Sequence, residues 1–493
     1  MKKLFLVLAA AAIASGAYAE GYQVNNMSAK QTGMGHVGTA MKLNSESIYF
    51  NPAATAFQKG KFHISAGFTG ILSDVTYRSL PTVENGYQSG PAENSDNKLS
   101  TPLHVYFNYK PTERLAVGVG FYTPDGSSMN WGSNWSGAHL IQEINLAAYT
   151  VQPTVSFKLC DRLSIGAGLM ITWGNFDLSR SMLSKTTRQG LIASMLDPKI
   201  EQLNAAIGSG LLTGDALAQA QATLQLLQGG KGYLESTMDQ SIVAARLEGN
   251  ANVAVGVNAG ILWDITDQWS LAMSYRSRMN MKVDRGHAAL NIAPQAAALI
   301  QQLGQLNPGS ELIPGLDKGT FHTELPLPTT VTWGVSFRPT RQWEFAVDLQ
   351  WVGWSAYESL NVSFNEKELG IKDIYSVKNY SNTLAFRFGG QYRATDFLTA
   401  RMGMYVDESP VSSDYLNPET PSMTKVAYTA GLSLRPTRFM SVDLAYSYVS
   451  SADPERTGSY PIYGYQSGQL EEVFSGNYKL HAHVFSVGVG FSF

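Results

Sequence analysis

The C-terminal run Phe485-Ser486-Val487-Gly488-Val489-Gly490-Phe491-Ser492-Phe493 decides the fold. Every odd position is large and apolar, and every even position is Ser or Gly. A strict period of two marks a strand whose two faces differ chemically. The pattern recurs upstream. Leu163, Ile165, Ala167, Leu169, Ile171 and Trp173 alternate with Ser164, Gly166, Gly168, Met170 and Thr172. Trp343, Phe345, Val347, Leu349 and Trp351 alternate with Glu344, Ala346, Asp348 and Gln350. A soluble sandwich would carry many charges on its outward face. Here one face is bulky and apolar, the other small and polar, and Trp173, Trp343 and Trp351 stand at strand ends where interfacial aromatic girdles belong.

Between such strands lies a recurring short turn. Lys110-Pro111-Thr112-Glu113-Arg114 is echoed by Arg338-Pro339-Thr340-Arg341 and Arg435-Pro436-Thr437-Arg438. Arg393-Ala394-Thr395-Asp396, Asp264-Ile265-Thr266-Asp267 and Lys158-Leu159-Cys160-Asp161-Arg162 are looser copies. Proline presets φ for a tight turn, and flanking alternation makes each a hairpin. In an up-and-down barrel with both termini on the short-turn side, six turns imply fourteen strands. Short turns on one side and long loops on the other is the outer-membrane pattern. The sequence therefore predicts an all-β membrane protein, a 14-stranded antiparallel barrel with an N-terminal plug and helical extracellular loops.

Composition agrees. Of the 493 residues, 15% are charged, 11% are aromatic and 46 are Gly; a typical soluble domain is roughly 25% charged. The mean hydropathy of −0.11 is too low for a bundle of membrane helices. The net charge of −3 argues against a nucleic-acid partner. Residues 1–19 read as a signal peptide: Met1-Lys2-Lys3, an apolar run Leu4 to Ala14, then Ala17-Tyr18-Ala19. The single cysteine, Cys160, forms no intramolecular disulfide.

Residues 20–59 precede the strands, and the barrel occupies 60–493. A lumen this wide exceeds what side chains fill, since roughly eight strands already reach that limit. The N-terminal segment, with a helix-start signature at Asn51-Pro52, is thus either a flexible tail or the plug. Two long loops, about 181–245 and 285–327, carry apolar residues at helical spacing, among them Leu196, Ile200, Leu203, Leu299, Ile300 and Leu303. They either pack on one another or leave a greasy groove for an apolar ligand. In the third strand Gly120-Phe121-Tyr122-Thr123-Pro124-Asp125-Gly126 breaks the ladder, because proline removes a hydrogen bond. The strand either ends there or kinks and opens the wall. Strand cations share the lumen parity: Arg276, Arg278, Lys282, Arg387 and Arg401. On the lipid side an arginine costs about 2–4 kcal/mol at the midplane. These arginines either pair with Glu344, Asp348 or Asp443 or hold a ligand carboxylate.

Four features resemble the FadL family of outer-membrane transporters for long-chain fatty acids and other hydrophobic compounds. They are Gly21-Tyr22-Gln23-Val24; Gln31-Thr32-Gly33-Met34-Gly35-His36-Val37-Gly38 leading to Asn51-Pro52-Ala53; Tyr122-Thr123-Pro124-Asp125-Gly126 with Trp131, Trp135 and Gly137; and the aromatic C-terminus. The resemblance implies an N-terminal hatch, two helical loops forming a capture groove, a tighter internal site, and lateral exit at a third-strand kink. The expected function is passive uptake of a fatty acid or hydrocarbon through a monomer set in outer-membrane lipid, with movement at Asn51-Pro52-Ala53 opening the path. No phosphate-binding loop or nucleophile motif is present, so neither cofactor, metal nor catalytic residue is expected. The rivals are a small-solute porin and an outer-membrane hydrolase built around His104, His481 or His483.

Overall fold

The computed structural model describes residues 21–81, 88–306, 319–366, 373–463 and 469–493. The signal segment lies outside them, as does the tip of the second long loop.

Fourteen strands pair in chain order. They are β1 (Phe62–Ser79), β2 (Leu103–Tyr109, prolonged by Glu93–Asn94), β3 (Leu115–Asn130), β4 (Glu143–Cys160), β5 (Leu163–Ser181), β6 (Val243–Asp264) and β7 (Trp269–Arg276 and Met279–Ile292). They continue with β8 (Thr320–Leu327 and Thr330–Phe337), β9 (Trp343–Val352 and Ser359–Phe364), β10 (Ile374–Val377 and Thr383–Arg393) and β11 (Leu398–Asp407). The last are β12 (Lys425–Thr437), β13 (Met440–Ser451 and Arg456–Tyr463) and β14 (Leu470–Ser492). Every pairing is antiparallel, and β1 closes the ring on β14 from His63↔Ser492 to Ser79↔Gly476. Closure pairs the first strand with the last, so neither terminal strand leaves a free edge facing lipid, where an unpaired backbone group is costly. All six expected turns fall where the sequence puts them, at the Phe493 end of the barrel.

Burial is inverted relative to a soluble protein. Phe68, Leu169, Val255, Met402 and Phe485 are exposed, while Thr69, Asn108, Gln152, Ser164 and Ser447 are buried. This is what the alternation requires when one face meets hydrocarbon. Several strands are longer than a crossing needs. Strand β14 has 23 residues and β6 has 22, where about 9–11 suffice. Their outer halves stand above the lipid and enclose a second chamber.

In the first long loop, helices cover Lys185–Leu191, Asp197–Gly208 and Gly214–Ser236, with a π-turn Ile192–Leu196 joining the first two. In the second, β7 runs on to Ile292 as an extracellular ribbon, so its helix begins only at Pro294. The helical spacing expected across 285–327 is overridden at its start by pairing with β6, from Glu248↔His287 to Val243↔Ile292.

Candidate functional site

Residues 21–58 lie inside the ring and are mostly buried. Asn51 caps a short helix, Pro52–Phe57: its side-chain oxygen accepts from Ala53 N–H at 3.1 Å. Its amide donates to Thr39 O (2.9 Å) and to Ile261 O of β6 (3.1 Å). Asp348 on β9 accepts from Gly38 N–H, Thr39 N–H and the Thr39 hydroxyl at 2.9–3.0 Å. Gln152 and Asn258 donate to Ile48 O (2.8 Å) and Tyr49 O (3.0 Å). The segment approaches the wall backbone to backbone. A Cβ on Gly33 would sit 2.9 Å from Gly431 Cα, and one on Gly389 2.0 Å from Met34 O. Gly35 has φ +62°, in the left-handed region, and its Cβ would meet Phe388 O at 2.5 Å. Glycine is needed there on both counts.

The lumen cations are engaged by this segment or by the wall. Lys30 bridges Glu46 (3.1 Å) and Asp443 (3.6 Å), and Asp443 also pairs with Arg401 (3.6 Å). Arg387 meets Asp407 (3.7 Å) and donates to Gln350 (2.8 Å). Arg276 donates to Tyr49 O and lies over the Tyr49 ring, 3.5 Å from its centroid. Arg278 requires a correction. Strand β7 breaks at Ser277-Arg278 and resumes with Met279, Met281 and Val283 buried inward. The parity flips across the break, so Arg278 and Lys282 are exposed on the outer face. A period-of-two count fails across any such irregularity.

The wall is interrupted at β3. The β2–β3 ladder ends at His104↔Tyr122; beyond it Leu103 N–H reaches the Thr123 hydroxyl at 3.1 Å, and the next backbone-to-backbone bond is Asp96 N–H to Asn130 O at 2.7 Å. Strand β3 does not end at Pro124. It continues to Asn130 against β4 with one extra residue between Tyr122↔Thr150 and Asp125↔Ala148. One extra residue is a bulge, which bends the strand and exchanges its faces. Below it Gly120 and Tyr122 face the lumen and Phe121 faces out; Tyr122 donates to Gln152 at 2.6 Å.

The vacated edge is taken by the N-terminal residues. Val24 N–H donates to Pro124 O (2.8 Å), and Gly126 N–H donates to Tyr22 O (2.9 Å). Beside this contact is a cavity of about 640 Å³. Its lining includes lumen residues (His36, Tyr405, Asp407) and outer-face residues (Leu99, Leu103, Tyr149). It therefore spans the wall. His36 stacks on Tyr405 with centroids 4.5 Å apart; burial, with Arg387 second, holds its imidazole well below the usual range.

Above the bulge the interior is apolar. Trp131, Trp135, Ile144, Phe176, Met281, Phe321, Trp354, Tyr357, Phe364 and Phe474 belong to one buried cluster that includes Tyr22. A narrow crevice within it is lined by Ile144, Leu146, Phe176, Leu325, Tyr357 and Leu360. The crevice and the wall-spanning cavity share Ser127, Leu146 and Thr420. Beside the crevice Lys378 pairs with Glu419 at 2.8 Å. Burial penalises the Lys378 charge, but the Glu419 carboxylate together with Tyr460 and Tyr380 outweighs this and leaves its ammonium above the ordinary range. Sequence parity misses this cation because Lys378 sits in a break of β10. Tyr22 is singled out in the sequence only within Gly21-Tyr22-Gln23-Val24 and given no role, and Trp354 is missed, although two tryptophans so close as Trp351 and Trp354 do not fit one face of a strand.

In the helical loops Leu196, Ile200, Leu203, Leu299 and Ile300 join one apolar cluster with Ile192, Leu227 and Leu234. The side chain of Leu303 lies outside the described residues. Leu196 and Leu299 are buried, and the loops pack on one another.

With this geometry the chain can be compared with known proteins. The model of the outer membrane protein transport protein family (OMPP1/FadL/TodX) matches residues 10–493. Outer membrane protein P1 of Haemophilus influenzae is 22% identical over the full length of both chains. The long-chain fatty acid transport protein of Escherichia coli is 23% identical over 91% of each. A crystal structure of a Pseudomonas aeruginosa FadL homologue superposes with a TM-score of 0.68 at 17% identity, covering 96% of this chain and all of that one.

Proposed function

This chain belongs to the outer membrane protein transport family OMPP1/FadL/TodX, transporters rather than enzymes in the outer membrane of Gram-negative bacteria, and on that premise we propose that it takes up long-chain fatty acids passively and releases them sideways through its wall. The helical loops collect the ligand. The aromatic crevice holds its chain, with Thr420 and the Lys378–Glu419 pair at its edge. Residues 21–24 then leave the β3 edge, and the ligand passes through the bulge into the bilayer.

The observation that carries this reading is the cavity at β3, lined from both faces of the wall and bordered by a two-bond contact between the β3 edge and residues 22–24. The lower lumen supports it. Asn51-Pro52-Ala53 is fastened to β6 and to Thr39, so we assign movement to Gly21–Val24 rather than to that motif. A porin would need an aqueous path through the packed segment, and no such path is required here.

A tether across the gap tests the proposal. In a Cys160→Ser background, Thr101→Cys and Ser127→Cys, both on the cavity lining, are joined by a short bifunctional thiol reagent. Oleate uptake should stop while the barrel remains folded, and resume when the linker is cleaved. Uptake unchanged by complete tethering would exclude lateral exit at β3.

A further inference from the structure

We propose that the wall has a second window, between β8 and β9 at the outer rim of the bilayer, through which a single-chain amphiphile with an anionic head enters from the outer leaflet. The inference rests on the transport reading above and adds a place of admission to it.

The β8–β9 ladder runs up to Thr330↔Val352 and resumes only at Thr323↔Val362. Between these pairs β9 uses residues 353–361 and β8 only 324–329. The surplus forms one turn of 3-10 helix, Trp354–Ala356. Hydrogen bonds close the two ends of the gap: Gly353 N–H to Thr329 O at 2.9 Å and the Thr323 hydroxyl to Asn361 O at 2.8 Å. Midway, the Pro326 carbonyl is met not by β9 but by the Tyr22 hydroxyl.

There is space on both sides of this gap. Outside is a cavity of about 550 Å³ lined by Arg278, Thr329, Trp351, Ser355, Glu358 and Ser359. Inside is the apolar crevice, lined by Tyr22, Leu325, Tyr357 and Leu360. The two are separated by the Trp354–Tyr357 segment, whose 3-10 turn puts Trp354 and Tyr357 inside, buried, and leaves Ser355 exposed. Trp354 is fully buried, yet its indole N–H has no hydrogen-bond partner among the described residues. A buried donor left unpaired is costly, and the cost is removed by a ligand that accepts from it.

Height and charge select the ligand. The lower part of β9, Trp343–Val352, has ten residues, about one membrane crossing. Trp351 therefore marks the outer interface, and the window opens just above it. By contrast only Leu115–Tyr122 of β3 precedes the bulge, so the first gap lies deeper in the hydrocarbon. At the outer window Arg278 is exposed, donates through Nε to Asn280 (3.0 Å) and pairs with no carboxylate among the described residues. A guanidinium at headgroup level above an aromatic passage suits a carboxylate head with an alkyl chain.

One residue closes both windows. Tyr22 bonds the β3 bulge through its backbone oxygen, while its ring packs edge-on to Trp354 (centroids 4.8 Å) and to Tyr357 (5.7 Å). Withdrawal of Gly21–Val24 thus frees the inlet and the outlet together.

Photolabelling tests the window. The full-length protein in phospholipid vesicles is given a fatty acid bearing a diazirine on its chain, and labelled residues are mapped. Label should appear within residues 351–359, and Ser355→Trp should abolish it and lower uptake several-fold. Arg278→Gln, at an exposed position, should weaken labelling by the carboxylate but not by the matching long-chain alcohol. Label confined to residues 99–103 and 123–129, with uptake unchanged in Ser355→Trp, would overturn the window and leave lateral exit standing. Equal loss for acid and alcohol in Arg278→Gln would overturn the head-group role. No uptake and no label in the unaltered protein would overturn the transport reading and this one together.

Discussion

Below the β3 bulge the lumen is organised by Lys30, Glu46, Arg401 and Asp443, with Asp348, Gln152 and Asn258 holding the N-terminal segment to the wall. Above the bulge it is organised by Trp131, Trp135, Phe321, Phe364 and Phe474. The two chambers share one barrel and differ in what they exclude. A polar network with its charges paired is rigid and specific but expensive to disturb, because each charge depends on its partners. An apolar chamber can yield to an alkyl chain without leaving hydrogen bonds unmade. In the proposed mechanism the seal against water therefore lies below, the ligand path lies above, and Tyr22 sits at the boundary.

The comparison is broken most severely from below. Asp443→Ala strips the shared partner from Lys30 and Arg401, and removing one member of a buried ion pair costs about 3–5 kcal/mol. The barrel should melt at markedly lower urea concentration, whereas Asp443→Asn should recover part of the loss through its remaining hydrogen bonds. In the helical loops, Leu299→Ala should cost about 2–5 kcal/mol of loop stability. Proteolysis within residues 185–236 should read it out while the transmembrane strands stay intact. Gly389→Leu drives a side chain into the Met34 carbonyl, and overpacking of this kind costs about 1–3 kcal/mol. Its sharper effect is on the seal: sugar should leak through liposomes carrying this variant and not through those carrying the unaltered protein. The smallest effect is expected outside both chambers. Arg246 pairs with Asp177 at 2.6 Å and is exposed, so Arg246→Gln should change stability by less than about 1 kcal/mol, and uptake should be unaffected.

The lower chamber was the more legible in the sequence. Its strands alternate without interruption, its turns carry proline, threonine and charge, and Gly33, Gly35 and Asn51 stand out in a compact apolar block. Even the glycines that receive the segment, Gly389, Gly403 and Gly431, occupy lumen positions of their strands. The upper chamber was hidden for a physical reason. Strands β7 to β10 each break at its floor, every break resets parity, and nothing local signals how many residues are spent. Arg278 is misplaced by that reset, and Lys378, Trp354 and the β8–β9 gap go unseen. Their partners lie far away in the chain: Tyr22 reaches Pro326 and Trp354, and Lys378 reaches Glu419. The loop residues are legible as helical but not as partners, since a periodic apolar stripe does not say what will cover it.

The central claim is that one barrel is closed to water and open to an apolar chain. Ion conductance and labelled oleate transfer should be measured on the same liposomes carrying the full-length protein. The account predicts oleate transfer above protein-free vesicles with no steady conductance and no sugar flux. Steady conductance with sugar passing, and no oleate transfer, would contradict it.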